Sequence, residues 1–447
     1  MEKLTEAVVA SVTGHHHARL MRMPNVVGFC RTPLPKIVGG AETATLCIRV
    51  MVSTKVPKGV LRQGLLARLL GRDELVPPTL DGVPTDVVQV GEVKLLGILG
   101  QVVAAPPATG RFDPLVAGVS VGHVRVTAGT LGAFVYDRSG AAYVLSNNHV
   151  LAAASFRNDP KAQVDDPILQ PGAYDGGKDP ADVAARLSNW VPYDSGANRY
   201  DVAWARATRA VSAGEVLGRG KVTLGPPLAD VPAGRHVWKV GRTTSYTEGQ
   251  VIDPRAVIQV DVGGGRVAQF DPVMMVFGTA GGPRPGDAFL QPGDSGSLVS
   301  TLKHPAWPGE NQPVGLAFAG SPGAAFVCYV LPLLQEKELS FQPPTSFSKY
   351  LPCELLVEVV GIATEPQATR LSVAQDPPEK EVPVGTVKRF NGQLTMEGGA
   401  AIPDARVEMR DEAGVQSATT DGDGRFSFSY QVMRAGKHEL RLVYAGQ

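Results

Sequence analysis

Long apolar runs are missing from this chain. No stretch approaches the about 18 consecutive apolar residues that a membrane-crossing helix needs, so no helical span is expected. Cysteine is scarce as well. Cys30, Cys47, Cys328 and Cys353 stand far apart, without metal-ligand spacing and without the dense pairing that staples small secreted domains, which argues for a reducing, cytoplasmic setting. A charge excess of either sign is absent: 43 basic side chains balance 43 acidic ones. That balance removes generalised nucleic-acid binding and polyanionic tails from the classes to consider. The start, MEKLTEAVVASVTGHHHARL, has no basic opening, no proper apolar region and no small-residue cleavage site, so it does not read as a signal peptide.

What is present is length and turn chemistry. The chain has 447 residues, enough for two to four domains and at least one large core. Its 51 Gly and 36 Pro are spread out, as in a β-rich protein with many turns. Residues 3–22 read as a helix. NVVGFCR, TLCIRVMVST and TDVVQVGEV read as strands, and GVLRQGLLARLLGRDE places leucines at helical spacing with arginines between them. Together they predict a small α/β domain over residues 1–100. From 120 to 342, short strand-like runs alternate with Gly, Pro and Asp turns, and helical periodicity returns only at FVCYVLPLLQEKELS. That is an all-β body closed by one helix. A linker, FQPPTSFSKYLPCE, leads to a further β segment over 355–447, where alternation around DGDG signals a hairpin.

Three segments carry chemistry together: YVLSNNHVLA with His149, NRYDVAWARA with Asp201, and FLQPGDSGSLVS with Ser295. A serine hydroxyl is a poor nucleophile at neutral pH. It needs a base to take its proton, and that base needs a carboxylate to fix its tautomer and steady its charged form. Gly293 and Gly296 permit a tight turn in which the N–H groups of Gly293 and Ser295 point at a developing oxyanion. The order His…Asp…Ser disfavours a GDS esterase, which carries its histidine near the end, and an α/β-hydrolase, which shows G-x-S-x-G and also places histidine last.

With SNNHV, YDVAWA and GDSGS in that order, residues 120–340 resemble the chymotrypsin-like (trypsin-fold) serine peptidases. The resemblance implies a mainly β fold of two six-stranded β-barrels with the triad between them. VWKVGRTTSYTEGQV is similar to the strand opening the second barrel in bacterial members of α-lytic-protease type. PVGLAFAGS is similar to the strand walling the specificity pocket, which implies Gly320 as a wall residue and Phe289, six before Ser295, as the residue setting pocket character. No carboxylate stands there, so the expectation is an apolar or small side chain before the cut. MPNVVGF, DGVPTDVVQVG, TAGTLGAFV and QPGAYDGG resemble a bacterial group with an appended N-terminal domain, to which the plant NARROW LEAF proteins are similar. GAAIPDARVEM and TTDGDGRFSFS resemble carboxypeptidase-regulatory-like β-sandwich modules. Phe318 stands where many members have serine, which leaves the hydrogen bond to the triad Asp open.

LPKIVGGAET has the look of a zymogen activation site, but Ile37 precedes His149 by 112 residues, far more than the family's pattern of about 40 allows. Ile37 is therefore expected in a connection between two strands, bent at Gly39 and Gly40. Asp294 then needs a resident cation. By resemblance Lys239 fits best and Arg242 second, because a buried carboxylate without a partner is unfavourable. His15–His17, three adjacent histidines, project about 100° apart along a helix, unlike a helical metal site, and are expected in solvent. DGDG lacks the spaced carboxylates and terminal Glu of an EF-hand. No cofactor or metal is expected. The expectation is a serine endopeptidase acting on protein substrates, with no nucleic acid and no membrane partner, a homo-oligomer by resemblance, and a protein partner on the C-terminal sandwich. The alternative is a catalytically idle scaffold on the same fold.

Overall fold

The computed structural model describes residues 4–55, 75–96, 107–279, 289–307, 309–343, 353–361, 369–376, 381–382, 387–396, 399–411, 414–431 and 438–444. The chain is mainly β and divides into two units, 1–342 and 343–447. Among the described residues no helix is long and apolar enough to cross a membrane. The Leu/Arg stretch 59–74 lies outside the described residues.

In the first unit the strand-rich body forms two main sheets. One follows the order Ala133–Tyr136, Ala142–Ser146, Ala203–Ala207, Val183–Trp190, Pro167–Leu169, Ser120–His123, Gly129–Thr130. Its two end strands are consecutive in the chain, parted only by Leu131 and Gly132. In the other sheet, Arg266–Gly278, Ala324–Tyr329, Pro313–Ser321, Leu298–Thr301, His236–Gly241 and Ser245–Gly263 pair in succession, and the last pairs back to the first. The strand Pro313–Ser321 is buried along nearly its whole length. It therefore reads as an unbroken apolar run rather than an alternation, because both of its faces are covered.

Two inner cores follow from these sheets. Val121, Leu131, Val144, Val150, Ile168 and Leu187 fill the first; Val237, Val251, Met274, Phe289, Val299 and Val314 fill the second. A third cluster joins Val135, Leu145 and Trp204 of the first sheet to Phe270, Leu316 and Phe326 of the second. The seam between the halves is thus largely apolar. The expected closing helix is Leu331–Glu336.

The N-terminal helix Glu6–Arg22 is capped by Thr5 and lays Val9, Val12 and Leu20 on Phe29, Ile48 and Val50. Strands Ala41–Val52 and Val83–Gln89 pair in parallel. This segment shares a sheet with the body: Val26–Phe29 pairs with Ser245–Gly263, Gly28 opposite Ile258. A Cβ on Gly28 would lie 2.2 Å from the Val257 carbonyl, so only glycine permits the approach. Sharing this sheet is why 1–100 and 120–342, expected as separate domains, cluster as one unit. Ile37 lies in the strand Leu34–Val38, whose hairpin to Ala41–Val52 bends at Gly39 and Gly40, both at positive φ. Its N–H donates to Asp86 Oδ2 at 2.9 Å. His15 and His16 are not simply solvated, because each bonds the Asp81 carboxylate at 2.9 Å. Asp81 arrives from a distant segment, which helix geometry alone does not reveal.

The second unit holds two sheets. One has the order Glu381–Val382, Cys353–Gly361, His438–Tyr444, Arg406–Asp411, Gly414–Thr419; the other has Thr369–Asp376, Val387–Met396, Arg425–Gln431. Phe390, Leu394 and Phe428 from one meet Val407, Met409 and Leu442 from the other. The DGDG turn is not the hairpin expected. Asp421 Oδ1 accepts from the N–H groups of Asp423 and Arg425, closing a tight corner that carries the chain from one sheet to the other. The hairpin lies earlier, where Asp411 pairs with Gly414.

Candidate active site

His149 sits in the one-turn helix Asn148–Leu151 that ends the strand Ala142–Ser146. Neighbouring asparagines pin this turn. Asn147 Nδ2 donates to the Asp201 carbonyl at 2.6 Å, and Asn148 Nδ2 donates to the carbonyls of Ser155 and Val191. Asp201 is fully buried just before the strand Ala203–Ala207. Its Oδ2 lies 2.6 Å from His149 Nδ1, and its Oδ1 accepts from the His149 N–H at 3.3 Å. The carboxylate therefore assigns the proton to Nδ1 and leaves Nε2 as the basic nitrogen. Nε2 is buried and has no hydrogen-bond partner among the described residues.

The Ser295 turn reaches the same seam. Thr130 N–H donates to the Ser295 carbonyl at 2.7 Å, and Thr130 Oγ1 donates to the Gly293 carbonyl at 2.8 Å. A Cβ on Gly129 would meet Val150, next to His149, at 2.5 Å and the Ser295 carbonyl at 3.0 Å. The two segments thus press on one glycine. Gly293 and Gly296 both take positive φ, the backbone freedom the turn requires. The Ser295 hydroxyl does not bond His149. It donates to the Phe318 carbonyl at 3.2 Å. The Gly293 N–H is also engaged: it donates to the Leu96 carbonyl at 2.7 Å. The Ser295 N–H has no acceptor among the described residues.

Asp294 is held as its burial demands. Lys239 Nζ lies 3.2 Å from its Oδ2, Thr244 Oγ1 donates to the same oxygen at 2.6 Å, and the N–H groups of Thr243, Thr244 and Gln291 complete the shell. Lys239 also donates to Thr244 Oγ1 and to the Ser245 carbonyl. Burial pulls the Lys239 ammonium below its ordinary value, with the Asp294 charge opposing. Arg242 does not reach Asp294. It forms a forked pair with Asp175, Nε to Oδ2 at 2.9 Å, while its N–H donates to Thr130 Oγ1.

Phe289 packs in the second inner core and beneath Gly249. Gly320 faces Leu96, whose Cδ1 would stand 2.9 Å from a Cβ there. Leu96 escapes sequence reasoning because its place is set by a strand pairing of only a few residues. Two further groups border the Asp201 carboxylate. Burial and then its negative charge hold the Tyr193 phenol well above its ordinary value. The same causes push the Cys328 thiol up to about 12, which keeps it protonated and inert as a nucleophile. Cys30, Cys47 and Cys328 are free and buried. Among the described residues one group has donors placed for a metal ion: His15, His16 and Asp81, within 4.8 Å of one another.

No family model and no curated protein matches the chain. Among solved structures it is similar to the chymotrypsin of Cellulomonas bogoriensis, at 16% identity over 52% of this chain and 100% of that one, with a TM-score of 0.34. It is also similar to a Nocardiopsis protease at 15% identity over 50% and 96%, TM-score 0.33, and to a glutamic-acid-specific serine protease at 19% identity over 50% and 98%, TM-score 0.33.

Proposed function

We propose that the chain is a serine endopeptidase that hydrolyses protein substrates through an acyl-enzyme. The observation that carries this reading is the buried His149–Asp201 pair, 2.6 Å across, with Nε2 left without a partner among the described residues, while Val150 and the Ser295 carbonyl both press on Gly129. In this reading Ser295 Oγ turns from Phe318, gives its proton to Nε2 and attacks the scissile carbonyl. Asp201 steadies the imidazolium that results. The N–H groups of Gly293 and Ser295 receive the oxyanion, and removing one such donor lowers turnover by about 10²–10³-fold. His149 then hands the proton to the leaving amine, and water repeats the sequence on the ester. Lys239, paired with Asp294, keeps this turn in shape without a freed N-terminus.

A second reading has one observation in its favour: the Ser295 hydroxyl is bonded elsewhere. On that reading the chain is an idle scaffold of the same fold. A fluorophosphonate probe separates the two. Labelling of the folded chain that disappears in Ser295→Ala supports the peptidase, whereas an unlabelled folded chain leaves the scaffold.

The finer architecture proposed with this function is two six-stranded barrels and a C-terminal β-sandwich able to dock a protein partner. Support comes from the cycle of pairings in the second sheet and from the shared core of the two C-terminal sheets. Kinship with the bacterial group carrying an N-terminal domain, and with NARROW LEAF proteins, is part of the same proposal, as are a cytoplasmic setting and homo-oligomers. Phe289 and Gly320 are proposed as specificity residues, with no metal or other cofactor in the reaction.

A further inference from the structure

The chain lays one of its own segments, Lys94–Leu96, against the Ser295 turn. Lys94–Leu95 pairs antiparallel with the strand Pro313–Ser321, Leu95 opposite Ala319 and Lys94 opposite Gly320. Leu96 continues this extended run. Its N–H donates to the Phe318 carbonyl at 3.3 Å, and its carbonyl accepts from the Gly293 N–H at 2.7 Å. Its side chain is buried against Gly320.

Each contact has a chemical meaning at a serine site. A peptide added to a strand edge is held by main-chain hydrogen bonds and selected by side-chain pockets. A carbonyl whose oxygen sits on a donor flanking the nucleophile is polarised along the path of attack. The Phe318 carbonyl accepts both from Leu96 and from Ser295 Oγ, so one atom fixes the segment and the nucleophile side by side. A structural strand needs edge pairing. It does not need its carbonyl on the Gly293 N–H.

We propose that Ser295 cuts its own chain on the carboxyl side of Leu96, an inference that rests on the peptidase reading. Ser295 Oγ bonds to the Leu96 carbonyl carbon and passes its proton to His149 Nε2. The carbon–nitrogen bond to the next residue in the sequence, Gly97, breaks, and its amine takes that proton. Water then gives its hydroxyl to the Leu96 acyl group and its proton, through His149, to Ser295. One water is consumed, and a Leu96 carboxylate and a new N-terminus are formed. The site thereby declares its preference: an extended segment of the type Val-Lys-Leu-Leu, with leucine before the cut.

The test follows the intact mass of the full chain over time, beside Ser295→Ala and Leu96→Asp. Expected is a break after Leu96 whose first-order rate is independent of protein concentration. Ser295→Ala stays whole, and Leu96→Asp is cut at least tenfold more slowly while still labelling with a fluorophosphonate. Wild-type chain that labels at Ser295 yet stays whole overturns the self-cut and leaves the peptidase reading standing. Chain that neither labels nor breaks overturns both. A break that persists in Ser295→Ala, or whose rate scales with concentration, also overturns the proposal.

Discussion

Lys239 Nζ lies 3.2 Å from Asp294 Oδ2, with both side chains wholly buried. A cation from the strand His236–Gly241 thus anchors the residue between Gly293 and Ser295. Replacing Lys239 with Met leaves a buried carboxylate with its amide and hydroxyl donors but without its countercharge. Breaking a buried pair on one side is worth about 3–5 kcal/mol of destabilisation. Urea unfolding should show a loss of that size for Lys239→Met, together with weaker fluorophosphonate labelling of Ser295. A loss below about 1 kcal/mol contradicts the assigned role of the pair.

Asp201 fixes which nitrogen of His149 carries the proton. Asp201→Asn keeps the shape but allows the amide to donate, which favours the tautomer with Nε2 protonated and unable to act as base. Peptide hydrolysis should fall by about 10⁴-fold with little change in folding. Steady-state kinetics on a peptide ending in Val-Lys-Leu-Leu before the reporter checks this, and a fall of less than about tenfold excludes His149 as the general base.

Two glycines separate close approach from mere permissiveness. A Cβ on Gly132 would sit 2.1 Å from the Gly296 carbonyl, while one on Gly14, inside the helix Glu6–Arg22, would meet nothing within 4 Å. Gly132→Ala forces the two main sheets apart at the Ser295 turn and should destabilise by about 1–3 kcal/mol or more, with loss of labelling. Gly14→Ala should stabilise by about 0.5–1 kcal/mol through helix propensity alone. Thermal unfolding of the two variants is expected to move in opposite directions.

What was legible in the sequence was local or chemical. The strands were readable because β-branched runs end at Gly, Pro and Asp turns. His149, Asp201 and Ser295 stand out as candidates because a hydroxyl nucleophile calls for a base and a carboxylate, and because glycines mark the turn; of these, the structure pairs His149 with Asp201. Long-range partners were not readable. Arg242 turns to Asp175, His15 and His16 turn to Asp81, and Leu96 lies over Gly320. Each depends on which strands become neighbours, and residue periodicity carries no information about that. DGDG shows a related limit: a tight turn specifies a reversal of the chain but not whether the next strand stays in the same sheet.

His123 is expected to make stability sensitive to mild acid. Its ring is fully buried; Nδ1 accepts from the Arg125 N–H at 3.1 Å and Nε2 lies 2.9 Å from Asp166 Oδ2, an arrangement that suits the neutral ring. Burial holds its pKa below the ordinary 6.5, and the Asp166 bond only partly offsets this. The unfolded chain therefore binds a proton that the folded chain does not, in the window from about 6.5 down to the depressed folded value. The contribution of His123 to stability is complete above that window and declines as pH falls through it. The slope it adds is at most about 1.4 kcal/mol per pH unit. Urea unfolding of wild type and His123→Gln between pH 8 and 5, which brackets an ordinary histidine pKa, should give curves whose slopes match above the window and diverge below it, wild type falling more steeply. Parallel curves across the whole range mean that the buried ring takes up its proton without penalty, and the neutral-ring assignment fails.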